Sequence, residues 1–310
     1  MSTPFNKRAF GCAIVKAINA NYNADFTHQP RTLPDGTAYA TDKALKYLVR
    51  NYWVNHIKGE HVLYYKRFNA ELKPFDLDEA YTAQFGEIKK EKDAKLKVLR
   101  NLLSCLDVRT FGATFANKKG DKMAISIHGP LQFTHGVNRF PDSEIITEQI
   151  MSPFRDDKAG KDASDASTLG TQHKLAEGHF VHHFSLNPNN LTAHLPAGAT
   201  DFPSITEADV VSIKQGLRYG ATYYDSAAKA GIENELLLWI TLREGSQVVL
   251  PSFVHLVEIG ADRTIDLKKI TDLLDRDRIE QEVESIEIYY DHGLTQVVNI
   301  PAGAKHYEIS

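Results

Sequence analysis

The stretch FGCAIVKAI, residues 10–18, is a short apolar run that includes β-branched side chains. Short apolar runs of this kind predict a buried β-strand. After a polar loop, apolar side chains recur at helical spacing from Thr41 to about Ile57, and Thr41 or Asp42 supplies a side-chain oxygen for an N-terminal cap. The fold is therefore expected to begin with a buried strand and an amphipathic helix.

The next part of the chain predicts a helical insertion, a hairpin and a second insertion. Residues 58–106 predict a mostly helical insertion. Two strands, 107–116 and 122–134, are predicted to pair as a hairpin across a polar turn. Residues 141–204 contain little regular pattern, and their centre has the composition of a mobile loop.

The last third predicts a second amphipathic helix, which begins at a capping box formed by Thr206 and Asp209 and ends near Gly231. Further elements are predicted as strands at about 235–243, 247–259, 284–290 and 295–300 and a helix near 266–280. The core order of strand, helix, strand, strand, helix, strand predicts an α+β fold of the ferredoxin-like or RNA-recognition-like (RRM-like) βαββαβ type. Residues 1–310 then form a single domain with two insertions.

Composition restricts the class of protein. The chain has 310 residues, of which 42% are hydrophobic and 25% charged, as in ordinary globular proteins. It contains no run of 18 apolar residues and no apolar leader, so we expect a cytoplasmic protein without a membrane span. Cys12 and Cys105 are too few for a disulfide framework and lie in no CxxC pair, so we expect both to be reduced core residues.

Charge is unevenly distributed along the chain. The formal net charge is -4, yet residues 1–110 hold 18 Lys and Arg against 12 Asp and Glu, while residues 191–310 hold 10 against 19. A basic third and an acidic third suit a polyanion-binding face together with a solvated or subunit-contacting face, although chance variation of surface charge predicts the same counts.

The common motifs of catalysis are absent or incomplete in the sequence. There is no Walker loop and no GxGxxG. The run Ser226 to Lys229 matches SxxK but lacks its partner motifs, and the loop from Asn21 resembles a calcium loop only until Phe26. The sequence therefore predicts neither a catalytic residue nor a cofactor.

Histidines are frequent and crowd one region, at positions 173, 179, 182, 183 and 194. In a strand, His179 and His183 share one face and His182 points to the other. No HExxH motif or cysteine partner accompanies them, so polar surface or RNA contacts are favoured over a metal site.

Basic residues form a candidate phosphate-binding set. Lys43, Lys46 and Arg50 lie on one face of the first helix, and Arg31 lies in the preceding loop. Such cations contact phosphates without reading bases, although a lysine-rich helix face is also often simply solvated. Because we expect these cations to be exposed, their removal should barely change stability. The segment that starts at Arg109 (RTFGATF) faintly resembles an RNA-binding strand, and a core strand predicts the same residues.

Read together, these residues resemble the Cas seven family, the repeated backbone subunit of type I CRISPR interference complexes (Cascade), in its type I-B or I-C branch. The family pattern N-P-N-G-D-P corresponds to Asn21–Asp25, with Tyr22 and Ala24 departing from it. The other matching positions are Pro30, Arg31, Gly36, Thr41, Asp42, Lys46, Arg50–Tyr52, Asp107–Gly112, His128–Phe133, Thr168–Gly170 and Lys174.

The resemblance implies an RRM-like palm with a finger insertion, residues 58–106, and a thumb insertion, residues 141–204. It implies that copies of the chain stack along one CRISPR RNA, held by the palm loop and first helix, while target recognition is left to base pairing. The implied partners are CRISPR RNA, the target DNA strand through guide pairing, other copies of the chain and other Cascade subunits, with no membrane.

The residues expected at the RNA are Asn21, Asn23, Arg31, Thr41, Lys43, Lys46, Arg50, Arg109, Gln132, Leu169 and Lys174. Among them, Arg109 and Gln132 are expected on the palm sheet and Leu169 at the tip of the thumb, where it would press into the guide–target duplex.

Two other functions remain open at this point. One is an RNA-cleaving subunit like those of type III relatives, with Asp25 or the acidic thumb residues Asp156, Asp157, Asp162 and Asp165 as the only plausible carriers. The other is a general RRM-like RNA-binding module without a CRISPR role.

Overall fold

The computed structural model describes residues 3–117, 123–151, 168–193, 195–196 and 202–310. In this part of the chain the helices are α1 Asp42–His56, α2 Leu77–Phe85, α3 Ala94–Ser104, α4 Leu106–Phe111, α5 Asn189–Thr192, α6 Glu207–Tyr223, α7 Lys268–Leu274 and α8 Asp277–Glu280. No helix of these ranges combines the length and the apolar character that crossing a bilayer requires.

The strands are β1 Ala9–Ala20, β2 Tyr39–Ala40, β3 Gly112–Ala116, β4 Ala124–His128, β5 Leu131–Phe133, β6 Gly136–Asn138, β7 Ile145–Met151, β8 Thr168–Leu186, β9 Ile232–Leu242, β10 Glu258–Ile259, β11 Ile265–Asp266, β12 Val283–Tyr290, β13 Val297–Val298 and β14 Lys305–Tyr307. The protein therefore has a mixed α+β fold, as the sequence predicts.

A large central sheet organises the described residues. Its strand order is β14-β12-β9-β1-β8-β6-β2, and β5 and β7 also pair with β8. The neighbours in the run β9-β1-β8-β6 are all antiparallel, and β12 and β14 form the parallel pair of this sheet. The strand predicted at residues 10–18 is confirmed as β1, which lies in the middle of the sheet.

Both faces of the sheet are covered, because side chains alternate along β1. Ala13 and Val15 face a core that includes α1 and α6, while Cys12 and Ile14 face a second core built with the segment after β9 and with α7. The sheet interior is therefore apolar on both sides, which explains the continuous apolar run in the sequence.

Helices α1 and α6 pack closely against each other. A Cβ atom added at Gly220 would lie 2.9 Å from the carbonyl oxygen of Leu48, so the small residue permits the close approach. The capping box at the start of α6 is confirmed: Thr206 accepts from the amide of Asp209, and the Asp209 carboxylate accepts from the amide of Thr206. The helix ends at Tyr223, earlier than the predicted end near Gly231.

The predicted strand 107–116 is wrong in its first half. Residues Leu106–Phe111 form α4, and the strand begins only at Gly112, which has a φ of 80°. A Cβ atom at Gly112 would lie 2.2 Å from the carbonyl oxygen of Ile127, so the chain turns sharply here. The hairpin is present as β3 and β4, but it forms a separate two-stranded sheet instead of contributing to the central one.

The second predicted insertion contains a principal strand of the sheet. Residues 141–204 were expected to be irregular, yet they include β7 and the 19-residue β8. The inner half of β8 lies between β1 and the short strands β5 and β6, while residues 168–175 pair with β7. We call this outer two-stranded ribbon, residues 145–151 and 168–175, the arm.

The predicted strand at 247–259 is mostly wrong as well. Only Glu258–Ile259 forms a paired β-strand, and Phe253–His255 forms a 3-10 turn. Its apolar residues instead fill the second core, where Phe253 and Val257 are buried.

Similarly, the strand predicted at 122–134 is divided into β4 and β5 around Gly129 and Pro130.

Candidate nucleic-acid interface

The loop after β1 is fixed by hydrogen bonds within the loop and to two other segments. Asn21 is buried, and its side-chain amide donates to the carbonyls of His28, at 3.1 Å, and His173, at 3.2 Å. Its backbone amide donates to the carbonyl of Ala228 at 2.8 Å. Asn21 therefore joins this loop to the arm, and its amide nitrogen is fully occupied within the protein.

Asn23 connects the same loop to the start of α1. Its Oδ1 accepts from both the amide and the hydroxyl of Thr41, each at 2.9 Å. Thr41 occupies the N-cap position of α1, but its side chain makes no capping bond, contrary to the sequence-based expectation. The hydroxyl is directed to Asn23 instead, so the loop and the helix terminus form one unit.

Arg31 closes the loop from its other end. Its amide donates to the carbonyl of Asn23 at 3.1 Å, and its Nε donates to the carbonyl of Ala24 at 3.1 Å. The guanidinium is half-buried, and its two terminal nitrogens have no recorded hydrogen bond among the residues described. The geometry brings Asn21, Asn23, Arg31 and Thr41 together, as the sequence analysis expects.

The three cations of α1 differ in how accessible they are. The side chain of Lys43 is 85% exposed and lies 3.9 Å from Asp42. Lys46 is buried, 3.1 Å from Asp42 and 3.5 Å from Oε1 of Gln132, and burial lowers its pKa. Of the three cations on α1, therefore, only Lys43 has the open position expected of a phosphate ligand.

Arg50 is directed into the protein. Its Nε donates to the Asp107 carboxylate at 2.9 Å, and its guanidinium lies over the rings of Phe111 and Tyr64. Asp107 is fully buried and also accepts from the amides of Leu63 and Tyr64. This ion pair attaches the insertion at 58–106 to α1.

Arg109 lies in α4 and not on the palm sheet, where the sequence analysis expects it. It is 7% exposed, and its guanidinium donates to both carboxylate oxygens of Asp209, to Glu60 and to the carbonyl of Ser104. We call the set Arg50, Glu60, Asp107, Arg109 and Asp209 the insertion junction. Each of its two guanidinium groups is neutralised by at least one carboxylate.

Gln132 lies on β5 at the edge of an open cleft. Its amide nitrogen donates to the carbonyls of Phe111 and Gly129, at 3.2 and 2.9 Å. The cleft has a volume of about 540 Å³ and is lined by residues 111–114 and 126–129 together with Gln132 and Asn190. Gln132 therefore connects the cleft to Lys46 of α1.

Two of the predicted RNA-binding residues, Lys174 and Leu169, lie on the arm. Lys174 lies in the part of β8 that pairs with β7, and its Nζ is 3.4 Å from Glu148. Leu169 also belongs to β8, but its side chain lies outside the described residues, as do the acidic thumb residues Asp156, Asp157, Asp162 and Asp165.

Three histidines of β8, His179, His182 and His183, are buried inside the fold. His179 is buried between Glu235, 2.6 Å away, and Glu177, 3.3 Å away. His182 faces the opposite side, as the sequence predicts, and contacts the Tyr22 hydroxyl at 3.0 Å. Within the described ranges, no group of three or more His, Cys, Asp or Glu side chains is arranged to hold a metal ion, and His194 lies outside those ranges.

Lys229 contacts the loop after β1, which the sequence pattern does not predict. Its Nζ donates to the carbonyl oxygens of Asn21, at 2.7 Å, and Tyr22, at 2.5 Å. Its sequence signal, the SxxK run, points to nucleophile chemistry and not to a loop contact. We call Asn21, Tyr22, His182 and Lys229 the loop junction.

Comparisons with known proteins agree with the resemblance found in the sequence. Residues 7–284 match the profile of the family described as CRISPR-associated protein Cas7. A solved chain from a "CRISPR RNA-guided surveillance complex, pre-nicking" is 12% identical with a TM-score of 0.54, over 97% of this chain and 96% of that chain. A chain from a "CRISPR RNA-guided surveillance complex" is 13% identical with a TM-score of 0.49, over 96% and 94%. No curated protein matches.

Proposed function

This chain belongs to the family of CRISPR-associated protein Cas7, and we propose that it is the non-catalytic subunit that binds the CRISPR RNA backbone in a type I interference complex (Cascade). Several copies stack along one guide, which then pairs with the target DNA strand in the company of the other Cascade subunits. The observation that carries this function is the family match over residues 7–284, which includes the loop, α1 and the central sheet.

The palm of this subunit is the ferredoxin-like part of the sheet. The order β9-β1-β8-β6 is that of a βαββαβ unit in which β1, β6, β8 and β9 are the successive strands. Helices α1 and α6 connect them and share the core on one face of the sheet, which supports the assignment. The hairpin of β3 and β4 is not part of this unit.

The two insertions supply the finger and the thumb. Residues 58–106 form the finger, attached to the palm through the insertion junction. The thumb lies within residues 141–204, and the arm is the described part that leaves the sheet. Because β8 runs without interruption from palm to arm, the thumb is a direct extension of a palm strand.

The guide backbone lies at the corner where the loop meets the start of α1. Lys43 supplies an exposed cation there, and Arg31, whose Nε is fixed on the loop, supplies terminal nitrogens without a hydrogen bond among the described residues. Helix N-termini also favour phosphate because their amides and the helix dipole are electropositive. Gln132 extends the same surface and is contacted from inside the protein by Lys46, while Arg50 and Arg109 position the finger from the interior.

Binding and assembly are tested by expressing the chain with and without a CRISPR array. With the array, size-exclusion chromatography should give a high-mass species whose extracted RNA carries repeat and spacer sequence. Without the array, the chain should elute at lower mass or carry unrelated RNA. Elution at the same mass in both cases, without array-derived RNA, would contradict the proposal.

A charge reversal locates the guide. Lys43→Glu should reduce the amount of CRISPR RNA recovered, because a phosphate ligand becomes a repelling carboxylate. Lys305→Glu is a matched control, since Lys305 is also exposed but lies on β14 at the other edge of the sheet. Equal RNA recovery from the two variants would place the guide elsewhere.

The non-catalytic assignment is tested with matched target. Oδ1 of Asp25 accepts from the amide and hydroxyl of Thr27 and from the amide of Gln29, so it holds the loop together. When the complex is incubated with matched target RNA or DNA and magnesium, we expect the target to remain intact. Cleavage that disappears in Asp25→Ala would instead support the RNA-cleaving alternative.

A further inference from the structure

The turn at residues 226–231, between α6 and β9, contacts both the loop of the proposed guide site and the arm. The carbonyl of Ala228 accepts from the amide of Asn21 at 2.8 Å, and the carbonyl of Ala227 accepts from the side chain of Gln172 at 3.1 Å. The turn therefore contacts the loop after β1 and the outer half of β8 at the same time.

Lys229 is the charged side chain of this contact. Its ammonium lies between two consecutive carbonyls of the loop, those of Asn21 and Tyr22, at 2.7 and 2.5 Å. No carboxylate in the described part of the chain raises its pKa, which burial lowers to about 8. Burying a cation without a counter-ion costs folding free energy unless it is hydrogen-bonded, so the half-buried position of Lys229 depends on the two loop carbonyls.

The two carbonyls also reveal what the lysine does to the loop. Successive carbonyls point in opposite directions in an extended strand, whereas here both are directed to one ammonium. The next residue, Asn23, is the one whose Oδ1 holds Thr41 and whose carbonyl holds Arg31. The position of the ammonium is therefore transmitted to the start of α1 and to Arg31.

Tyr22 anchors the same segment from the opposite side. Its ring is buried, and its hydroxyl contacts the buried His182 at 3.0 Å. Tyr22 and Ala24 stand where the pattern quoted for the family has proline and glycine, residues that shape a tight turn through their own backbone preferences. In this chain, side-chain contacts from Lys229 and His182 hold the corresponding segment.

We propose that Lys229 is a positioning residue for RNA binding, which fixes the Asn21–Asn23 segment so that Arg31 and the start of α1 meet the RNA backbone in one arrangement. This inference rests on the proposed function. Lys229 acts through the loop carbonyls and makes no phosphate contact of its own.

Two lysine-to-methionine variants test the inference, because methionine retains an apolar stem but removes the ammonium. The first is Lys229→Met. The matched control is Lys214→Met, since Lys214 is also mostly buried but binds Glu287, at 2.7 and 2.8 Å, on β12. The probe is a fluorescein-labelled single-stranded RNA with the repeat and spacer sequence, titrated with the full chain at several salt concentrations.

The two variants should give opposite results. Lys229→Met is expected to weaken the Kd about tenfold with an unchanged binding stoichiometry, and to lower the melting temperature only slightly, since the carbonyls of Asn21 and Tyr22 lose one donor. The slope of log Kd against log salt should also stay unchanged, because no phosphate contact is lost. Lys214→Met should lower the melting temperature with the Kd unchanged, since it leaves the Glu287 carboxylate without its cation and, among the described residues, with only the Tyr289 hydroxyl as a donor. Lys229→Arg, which retains a cation with several donors, should restore most of the affinity.

Three results would overturn the inference. An unchanged Kd in Lys229→Met, or a variant that no longer folds, would show that Lys229 has only a structural role or none at the loop. A salt slope reduced by about 0.7 would show a direct phosphate contact instead. If the wild-type chain itself does not bind this RNA, the proposed function fails, and this inference fails with it.

Discussion

The insertion junction and the loop junction both bury cations, but they differ in what surrounds the charge. In the insertion junction, Arg50 is paired with Asp107, and Arg109 is paired with Asp209 and Glu60. In the loop junction, Lys229 meets only carbonyl oxygens, and Oδ1 of Asn21 is buried without a recorded partner.

Whether a buried cation has a carboxylate partner decides whether it serves mainly stability or ligand binding. A buried guanidinium with its carboxylates in place holds two parts of the chain together, but its charge is already neutralised within the protein. An ammonium without a carboxylate leaves the surrounding loop electropositive. The number of cations in a segment is therefore a poor guide to its capacity for phosphate, because the positions of the carboxylates decide it.

The largest effect is expected from breaking the insertion junction. Arg109→Met leaves the buried Asp209 carboxylate without its cation, so the free energy of unfolding should fall by about 3–5 kcal/mol. Guanidinium chloride denaturation measures this change, with Lys43→Met as the exposed control. A decrease in the free energy of unfolding of less than about 1 kcal/mol would show that the insertion junction does not serve mainly stability.

The loop junction should respond to pH. Burial lowers the pKa of His182 to about 4, whereas the unfolded chain has a histidine pKa near about 6.5. As the pH falls below about 6.5, His182 becomes protonated in the unfolded state but stays neutral in the folded state. The free energy of unfolding therefore decreases with falling pH down to about pH 4. The loss attributable to His182 should be on the order of 2 kcal/mol between pH 7 and pH 5.

His182→Gln isolates this effect, because glutamine keeps a hydrogen-bonding group but does not titrate. Urea denaturation at both pH values should show a smaller pH-dependent loss in the variant than in the wild type. His183, whose pKa burial also lowers to about 4, contributes equally to both proteins and cancels in the difference. Identical pH dependence would mean that the loop junction is not pH-sensitive through His182.

A smaller effect is expected at the capping box that adjoins the insertion junction. Thr206→Ala removes the acceptor of the Asp209 amide and should cost about 1 kcal/mol. Because Thr206 and Arg109 both bind Asp209, the double variant should differ from the sum of the two single variants by more than about 0.5 kcal/mol. Additive losses would show that helix cap and ion pair are independent.

The smallest change in stability is expected at Lys43. Lys43→Ala should alter the free energy of unfolding by less than about 0.5 kcal/mol, since the side chain is 85% exposed. It should nevertheless reduce the salt slope of RNA binding by about 0.7, as one phosphate contact is lost. An unchanged slope would make Lys43 a solvated lysine.

The sequence alone treats Lys43, Lys46 and Arg50 as one exposed set whose removal barely changes stability. Helical spacing correctly places them on α1, but it carries no information on Asp107, which is 57 positions from Arg50 and folds back against it. The expectation that all three are exposed is therefore wrong for Lys46 and Arg50. Roles for the individual residues at the RNA remain predictions.

The fold was predictable where local pattern and tertiary packing agree. Residues 10–18, the helix from Thr41 and the capping box at Thr206 all appear as expected. Prediction fails at 107–111, where Val108 and Phe111 suit a strand but the segment is helical up to the turn at Gly112. It also fails at β8, whose inner half is rich in histidine and phenylalanine, because only pairing with β1 reveals a central strand.

The continuity of β8 restricts how the length of the arm can vary between related chains. Eleven residue pairs fix β8 against β1, and side chains alternate between two faces along the whole strand. One added residue would exchange the faces of everything beyond it, whereas two added residues in each of β7 and β8 would preserve them. A change in the length of the arm that keeps these faces without a further bulge therefore comes in steps of two residues, each of about 7 Å.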